Sequence, residues 1–595
     1  MSRRKPRFRW FVKEWIVRAA TLCTLIMLGR ALGLQTSNTY PITWQFNVKV
    51  PMRDGIKLST DIIRPDAVDR FPVVLIRTPY DKGVDRRGDA VYFAQHGYVA
   101  LVQDVRGRHD SDGDWEPLFR EADDGYDTQQ WAAQQSWSNG KVITFGSSYE
   151  AMDQWLAATR QNQHLNGMVS IFCPSDLYEG LFYVGGAFQE AVAIEWSTFV
   201  DGRVNQQQEI EFAPWSKAFN HQPVTEALSI VGRNPKFYHD WLTHPTYDAY
   251  WRRLRWQDSY GNFNMAVLNI GGWFDIFQSG AIDNFQRLRA QSSTEVHGAH
   301  RLIIGPWTHS DDPSRQVGVI DFGPESVLNW REIALRWLDH YIKGIENGVD
   351  KEAPVKIFTM GENVWHEYPD WPVPDTQYQK YYLRGDGRAN SLLGDGILLT
   401  SAPPPHERAD QYRYDPNNPV PNAGGGNCCW PAITPWGPFD QRAVERRDDV
   451  LVYTSPPLAE DLRVTGRVVA KLWVASSARD TDFTVKLVDV YPSDFAMNLT
   501  DGILRAKYQN SFKMPELLEP GRPYELTIPV GSTSDLFRKG HRVRVEIASS
   551  NFPRFSRNTN TGQQPETETG GEVARQTLLH DAQHPSYVEL PVLGP

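Results

Sequence analysis

GKVITFGSSYEAMDQWLAA (residues 140–158) joins an apolar run at 142–145 to a helix-like segment through a corner of three small residues, Gly146-Ser147-Ser148. The run has the length of a buried strand, and the corner lacks Asn, Asp or Pro, the usual turn formers. Two chemistries suit a serine at so tight a corner. Its hydroxyl can cap the following helix. Alternatively it is a nucleophile whose Oγ stands clear of the sheet on a strand-to-helix elbow, beside amides aimed at a developing oxyanion. Against the G-x-S-x-G spacing of such elbows, Gly146 supplies the first glycine for Ser148. Glu150 and Ala151 stand two and three residues after it, so the second glycine is missing.

A nucleophilic serine needs a base, and the base needs an orienting acid. On this kind of sheet they follow in the order Ser, acid, His, at the carboxyl ends of later strands. Two later apolar runs end in that order: NIGGWFD closes on Asp275 and IIGPWTH on His309. An Asp after a strand is ordinarily a turn residue, and a lone His is ordinarily structural. Three such residues at strand ends, in the required order, point to a Ser148–Asp275–His309 triad.

The surroundings agree. FPVVLIRTPYDK (71–82) and GYVALVQDVRG (97–107) are further buried-strand runs, with the helical ADDGYDTQQWAAQQ (122–135) after them. Apolar strands alternating with helices predict a parallel sheet covered on both faces. Before them, residues 43–65 read as a hairpin turning at Asp54-Gly55. The alternation makes a core of two parts, 41–169 and 263–351, interrupted at 170–262 by an aromatic, strand-poor helical cap. From 352 to 595 short runs with period-two alternation, beginning with APVKIFTMGENVW, predict a β-sandwich. Its Pro- and Gly-rich stretch, 401–431, reads as a long loop, either a surface excursion or a wall of the site.

At 595 residues the chain exceeds one ordinary core. A net charge of -10 argues against a nucleic-acid partner, which needs a basic face. No phosphate-binding glycine motif follows a strand, and the four cysteines lack metal-ligand spacing. No metal and no cofactor is expected. Cys428 and Cys429 read as two packed thiols, which the general burial of cysteine favours, or as a vicinal disulfide. Residues 1–40 form a leader: a basic stretch, then the 11-residue apolar run AATLCTLIMLG (19–29). Arg18 and Arg30 interrupt any window of the roughly 20 residues a spanning helix needs. The segment reads first as a secretory leader and next as a retained anchor, and a cytoplasmic chain stays open.

The motifs RTPYDK, QDVRGRHDSDG, EADDGYDTQQW, FGSSYEAMDQW, NIGGWFD, GPWTH and VKIFTMGENVW resemble, in order and spacing, those of the cocaine esterase and X-Pro dipeptidyl-peptidase (S15, CocE/NonD) hydrolases. The similarity spans about 45–560. It implies an α/β-hydrolase core, an inserted helical cap and a carboxy-terminal all-β jelly roll. The family elbow is G-x-S-Y-x-G, and Ala151 replaces its last glycine here. Matching positions make Ser148 the nucleophile, Asp275 the acid and His309 the base. Tyr80 and the amide of Tyr149 match the oxyanion hole. Phe277, two residues after the acid, and Trp196 match aromatics that pack on an aryl acyl group in cocaine esterase, and Phe182 matches a third with a small spacing shift. The resemblance implies a small-molecule ester or amide as substrate. X-Pro dipeptidyl-peptidase and α-amino-acid ester hydrolase are the alternatives, with a non-catalytic glycan binder as a third. The carboxylates that follow the acid in the α-amino-acid ester hydrolases are absent after Asp275, and Asp176 and Glu179, shortly after the nucleophile helix, are the first suspects for that role. Membrane contact is confined to the leader, and a homodimer stays open.

Overall fold

A computed structural model describes residues 39–311 and 313–594. The leader, with the export and anchoring expectations placed on it, lies outside these residues. Ten strands build the main sheet: β1 (Ile42–Pro51), β2 (Lys57–Pro65), β3 (Phe71–Thr78), β4 (Val99–Asp104), β5 (Ser138–Ser147), β6 (Leu165–Ile171), β7 (Ala266–Phe274), β8 (Arg301–Thr308), β9 (Val355–Thr359) and β10 (Val364–Tyr368). Their spatial order is β1-β2-β4-β3-β5-β6-β7-β8-β9-β10. From β4 to β9 every neighbouring pair is parallel. The hairpin β1–β2 at one edge and β10 at the other are antiparallel.

The central strands are mostly apolar because both faces are covered, with polar residues such as Arg77, Gln103 and Asp104 toward their carboxyl ends. Every residue of β3, β4, β7 and β8 is buried. The amphipathic helix Trp330–Tyr341 shows how the cover works: Trp330, Ala334, Trp337 and Leu338 are its buried stripe. Asn329 caps it, accepting from the amides of Arg331 and Glu332. The chain places β4 on one side of β3 and β5 on the other. That reversal opens a crevice at the carboxyl ends of β3 and β5, where ligands of open α/β sheets bind.

The cap between β6 and β7 is made of short helices, chiefly Glu190–Val200 and Lys236–Thr243. Aromatic packing holds it, with the Phe182 and Trp241 rings stacked at a centroid distance of 3.8 Å. The carboxy-terminal unit is an all-β domain whose main sheet has eleven strands. Two expectations change. The stretch APVKIFTMGENVW does not begin the sandwich. Its β9 pairs in parallel with β8, Leu302 against Val355, so period-two alternation there marks the edge of the hydrolase sheet. The 401–431 stretch is not all loop either, since Asp410–Tyr414 forms a strand against Ala574–Leu579. Among the described residues, no helix is long and apolar enough to cross a membrane.

Candidate active site

Ser148 sits between β5 and the helix Tyr149–Ala158 with φ 57° and ψ -123°. For a residue with a Cβ this conformation is strained and persists only where its surroundings impose it. Gly146 permits the corner, because a Cβ there would lie 2.4 Å from Glu150 Cβ. The missing glycine of the G-x-S-x-G spacing has a physical replacement. Glu150 is wholly buried and folds back on the corner, its Oε2 accepting from the Ser147 amide at 3.2 Å and from Arg86 Nε at 2.6 Å. Burial pushes the Glu150 carboxyl well above the usual range, and the Arg86 guanidinium opposes that shift. Arg86 also donates to Ser147 Oγ at 2.5 Å and to Asp311 at 2.7 Å. It therefore ties the corner to the loop after β8.

That loop carries His309, and the loop after β7 carries Asp275. His309 Nε2 is 2.9 Å from Ser148 Oγ, and its Nδ1 is 2.6 Å from Asp275 Oδ1. The three residues predicted to act together are thus one hydrogen-bonded relay, assembled from the ends of β5, β7 and β8. Nδ1–H donating to a carboxylate leaves Nε2 as the acceptor for a serine hydroxyl, which is the tautomer a base requires. The Phe277 ring stands edge-on to the imidazole, centroids 5.0 Å apart and planes at 89°.

Ser148 opens into an apolar cavity whose walls include Tyr80, Tyr149, Phe182, Trp196 and Phe277. Tyr80 follows β3 at the topological reversal. Its hydroxyl oxygen accepts from Trp196 Nε1 at 2.9 Å. Burial pushes the phenol above its ordinary pKa, so it remains a neutral donor. The Tyr149 amide is the first of its helix and belongs to the N–H groups that a helix leaves without an internal partner. The Tyr149 hydroxyl is engaged elsewhere, donating to Glu121 at 2.8 Å and accepting from the Leu118 amide at 2.8 Å.

Cys428 and Cys429 also line this cavity, and they are joined as a vicinal disulfide. The expectation of two packed thiols is corrected: both sulfurs turn to one wall of one cavity, where they bond. The end of the 401–431 stretch is accordingly a wall of the site. Neither Asp176 nor Glu179 lines this cavity. Asp176 accepts from Gln257 and from the amides of Tyr178 and Glu179, and Glu179 faces a separate interdomain cleft. The roles of Arg86 and Asp311 escape sequence reasoning, while the disulfide is the second of the two readings of Cys428 and Cys429. Only the odd Glu150 at the elbow signals either role.

Residues 54–311 match the family model described as X-Pro dipeptidyl-peptidase (S15 family), and 347–589 match the X-Pro dipeptidyl-peptidase C-terminal non-catalytic domain. Cocaine esterase of Rhodococcus sp. (strain MB1 Bresler) is 34% identical, over 92% of this chain and 98% of that protein. The solved structure of an α-amino acid ester hydrolase superposes with a TM-score of 0.81 at 26% identity, covering 94% of this chain and 98% of that one. An aminopeptidase from a marine sediment archaeon, Thaumarchaeota archaeon, gives 0.80 at 26% identity over 94% and 97%. With this fold and this degree of likeness to cocaine esterase, the chain is a serine hydrolase that belongs to the X-Pro dipeptidyl-peptidase S15 (CocE/NonD) family.

Proposed function

We propose that the chain cleaves carboxylic esters of small molecules through an acyl-enzyme on Ser148, and that it prefers apolar, aryl acyl groups. The observation that carries this reading is the Ser148–His309–Asp275 relay, at 2.9 and 2.6 Å, opening into a cavity walled by aromatics. Ser148 Oγ attacks the carbonyl carbon as His309 Nε2 takes its proton, and Asp275 balances the imidazolium. The tetrahedral oxyanion accepts from the Tyr80 hydroxyl and the Tyr149 amide. His309 returns the proton to the departing alcohol, and water then cleaves the acyl-enzyme by the same steps. The Phe182, Trp196 and Phe277 rings form the acyl pocket. Export of the chain by residues 1–40 belongs to the same reading, supported by their basic start and apolar run.

The dipeptidyl-peptidase reading requires an anion for a peptide ammonium. Glu195, beside Trp196 on the cap helix, is the carboxyl adjoining an aromatic of the acyl pocket. Burial pushes it up to about 8, which favours the neutral form over the anion an ammonium needs. A panel of benzoyl, aliphatic and α-aminoacyl esters, assayed beside an X-Pro amide, tests the proposal. Turnover of the X-Pro amide above all the esters would reject it.

A further inference from the structure

The Cys428–Cys429 disulfide has no role in the chemistry above, yet it adjoins the reacting atoms. Its two sulfurs and a ring nitrogen of His309 all lie within 4.8 Å of one another. The same pair lines the cavity that holds Ser148, Tyr80 and Trp196. Behind it the chain is held. Thr434 Oγ1 donates to Glu195 on the cap helix at 2.6 Å, and the amides of Cys429 and Trp430 face the same carboxyl. Trp430 packs edge-on against Phe199, centroids 5.2 Å apart, and Phe199 packs in turn on Tyr80 at 6.1 Å.

We propose that this disulfide is a specificity-determining wall of the acyl pocket and that its redox state sets how large an acyl group the enzyme accepts. The inference rests on the esterase reading above. Bonded sulfurs sit about 2.05 Å apart, whereas sulfurs that are not bonded need a van der Waals separation of about 3.5 Å or more. Reduction therefore demands room. The backbone behind the pair is tied to Glu195 and Trp430 is packed on Phe199, so the room comes from the cavity and from the space beside His309. The displaced sulfurs would stand beside the imidazole, whose ring nitrogen already lies within 4.8 Å of both. The redox step is closed in atoms and electrons. An external dithiol donates two electrons and two protons, the Sγ–Sγ bond breaks to two thiols, and the dithiol becomes its own cyclic disulfide.

The test measures kcat/KM for a benzoyl ester and for an acetyl ester on the full chain, before and after dithiothreitol. Alkylation and mass spectrometry of the peptide carrying Cys428 and Cys429 report the bond. Opening it is expected to lower kcat/KM for the benzoyl ester about tenfold, the scale of overpacking a pocket by an atom or two. The acetyl ester is expected to lose much less, and reoxidation to restore both. In the Cys428→Ala/Cys429→Ala variant, whatever its own activity, the ratio between reducing and non-reducing buffer is expected to be about one. An opened bond with an unchanged benzoyl-to-acetyl ratio overturns the proposal. So does a double variant that responds to dithiothreitol as the wild type does, or a peptide that carries two free thiols from the start. Fluorophosphonate labelling of Ser148 separates the two failures. A chain that labels in both states without a redox effect overturns the wall alone, and one that labels in neither overturns the esterase reading and the wall with it.

Discussion

Trp196 donates its indole N–H to the hydroxyl oxygen of Tyr80 at 2.9 Å. One lone pair of the phenol is thereby occupied, which turns the remaining O–H outward as a donor. Trp196 stacks on the Tyr149 ring as well, centroids 6.0 Å apart at 17°. An aromatic expected to pack against substrate thus also positions the proposed oxyanion donor. Tyr80→Phe is expected to lower kcat about a hundredfold or more with little change in KM, because a hole donor acts on the transition state. Trp196→Phe keeps the ring and loses the N–H, so its kcat should fall less, by roughly tenfold, the scale of one lost hydrogen bond. Steady-state kinetics on an aryl ester decide between them. An unchanged kcat in Tyr80→Phe would reduce Tyr80 to a turn residue.

Ser147 and Ser148 are adjacent, but their partners differ. Ser147 Oγ accepts from Arg86 at 2.5 Å, while Ser148 Oγ faces His309. Ser148→Ala should abolish hydrolysis and fluorophosphonate labelling. Ser147→Ala should retain labelling and most activity, with a small loss of stability of about 1 kcal/mol for its hydrogen bond. Labelling that survives in Ser148→Ala would transfer the nucleophile's role elsewhere.

The fold is legible in the sequence wherever burial writes a period. Unbroken apolar runs reveal the parallel strands, and polar residues closing those runs reveal Ser148, Asp275 and His309. What escapes is long-range pairing. Arg86 meets Glu150 and Asp311 across 64 and 225 positions, and no local pattern marks a residue for such distant partners. Alternation at 355–368 is equally ambiguous, since an exposed edge of the hydrolase sheet and a sandwich strand share the same period. For adjacent cysteines, composition favours burial, and adjacency alone does not say whether the two sulfurs bond, as they do here.

Glu195 makes the attachment between cap and disulfide loop sensitive to pH. Burial pushes its carboxyl up to about 8, against about 4.3 in an unfolded chain. Below the lower value the group is protonated in both states, and its contribution to stability is fully present. As pH rises toward about 8 the unfolded chain releases the proton and the folded chain does not, so stability falls across that window. Glu195→Gln removes the titration while keeping an acceptor for Thr434. The Tm of the wild type relative to the variant should therefore decline between pH 4.3 and 8 and level off above it. Parallel Tm curves would show that Glu195 is ionised in the fold.

The leader is testable by fractionation. Full-length chain expressed in its native host is expected outside the cytoplasm, because a basic stretch followed by an 11-residue apolar run is the pattern of an exported protein. Wholly cytosolic protein with an intact Met1 would reject export.

The acyl pocket should discriminate by charge at the carbon next to the carbonyl. The residues after Asp275 are Ile276, Phe277 and Gln278, and among the described residues no carboxylate lines the cavity that Ser148 enters. Asp176 and Glu179, the first substitutes on sequence grounds, lie outside it, with Asp176 engaged by Gln257 and two amides. An α-ammonium brought into this cavity loses hydration and meets aromatic walls, a penalty of several kcal/mol. Ring faces attract a cation by about 0.5–2 kcal/mol, too little to offset that loss. An aryl acyl group, by contrast, gains about 25 cal/mol for each Å² of apolar surface it buries against Phe182, Trp196 and Phe277. Comparing kcat/KM for a benzoyl ester with that for a phenylglycyl ester of the same alcohol isolates the ammonium-bearing carbon. The benzoyl ester is expected to win by at least tenfold, the factor that about 1.4 kcal/mol supplies. If the phenylglycyl ester wins, a carboxylate must reach the substrate from outside the cavity wall. Glu179 is then the residue to replace: its Oε2 is buried without a partner, although burial pushes the group up to about 8. In that case phenylglycyl turnover should also rise with pH through that value as Glu179 ionises, and Glu179→Gln should abolish both the rise and the preference.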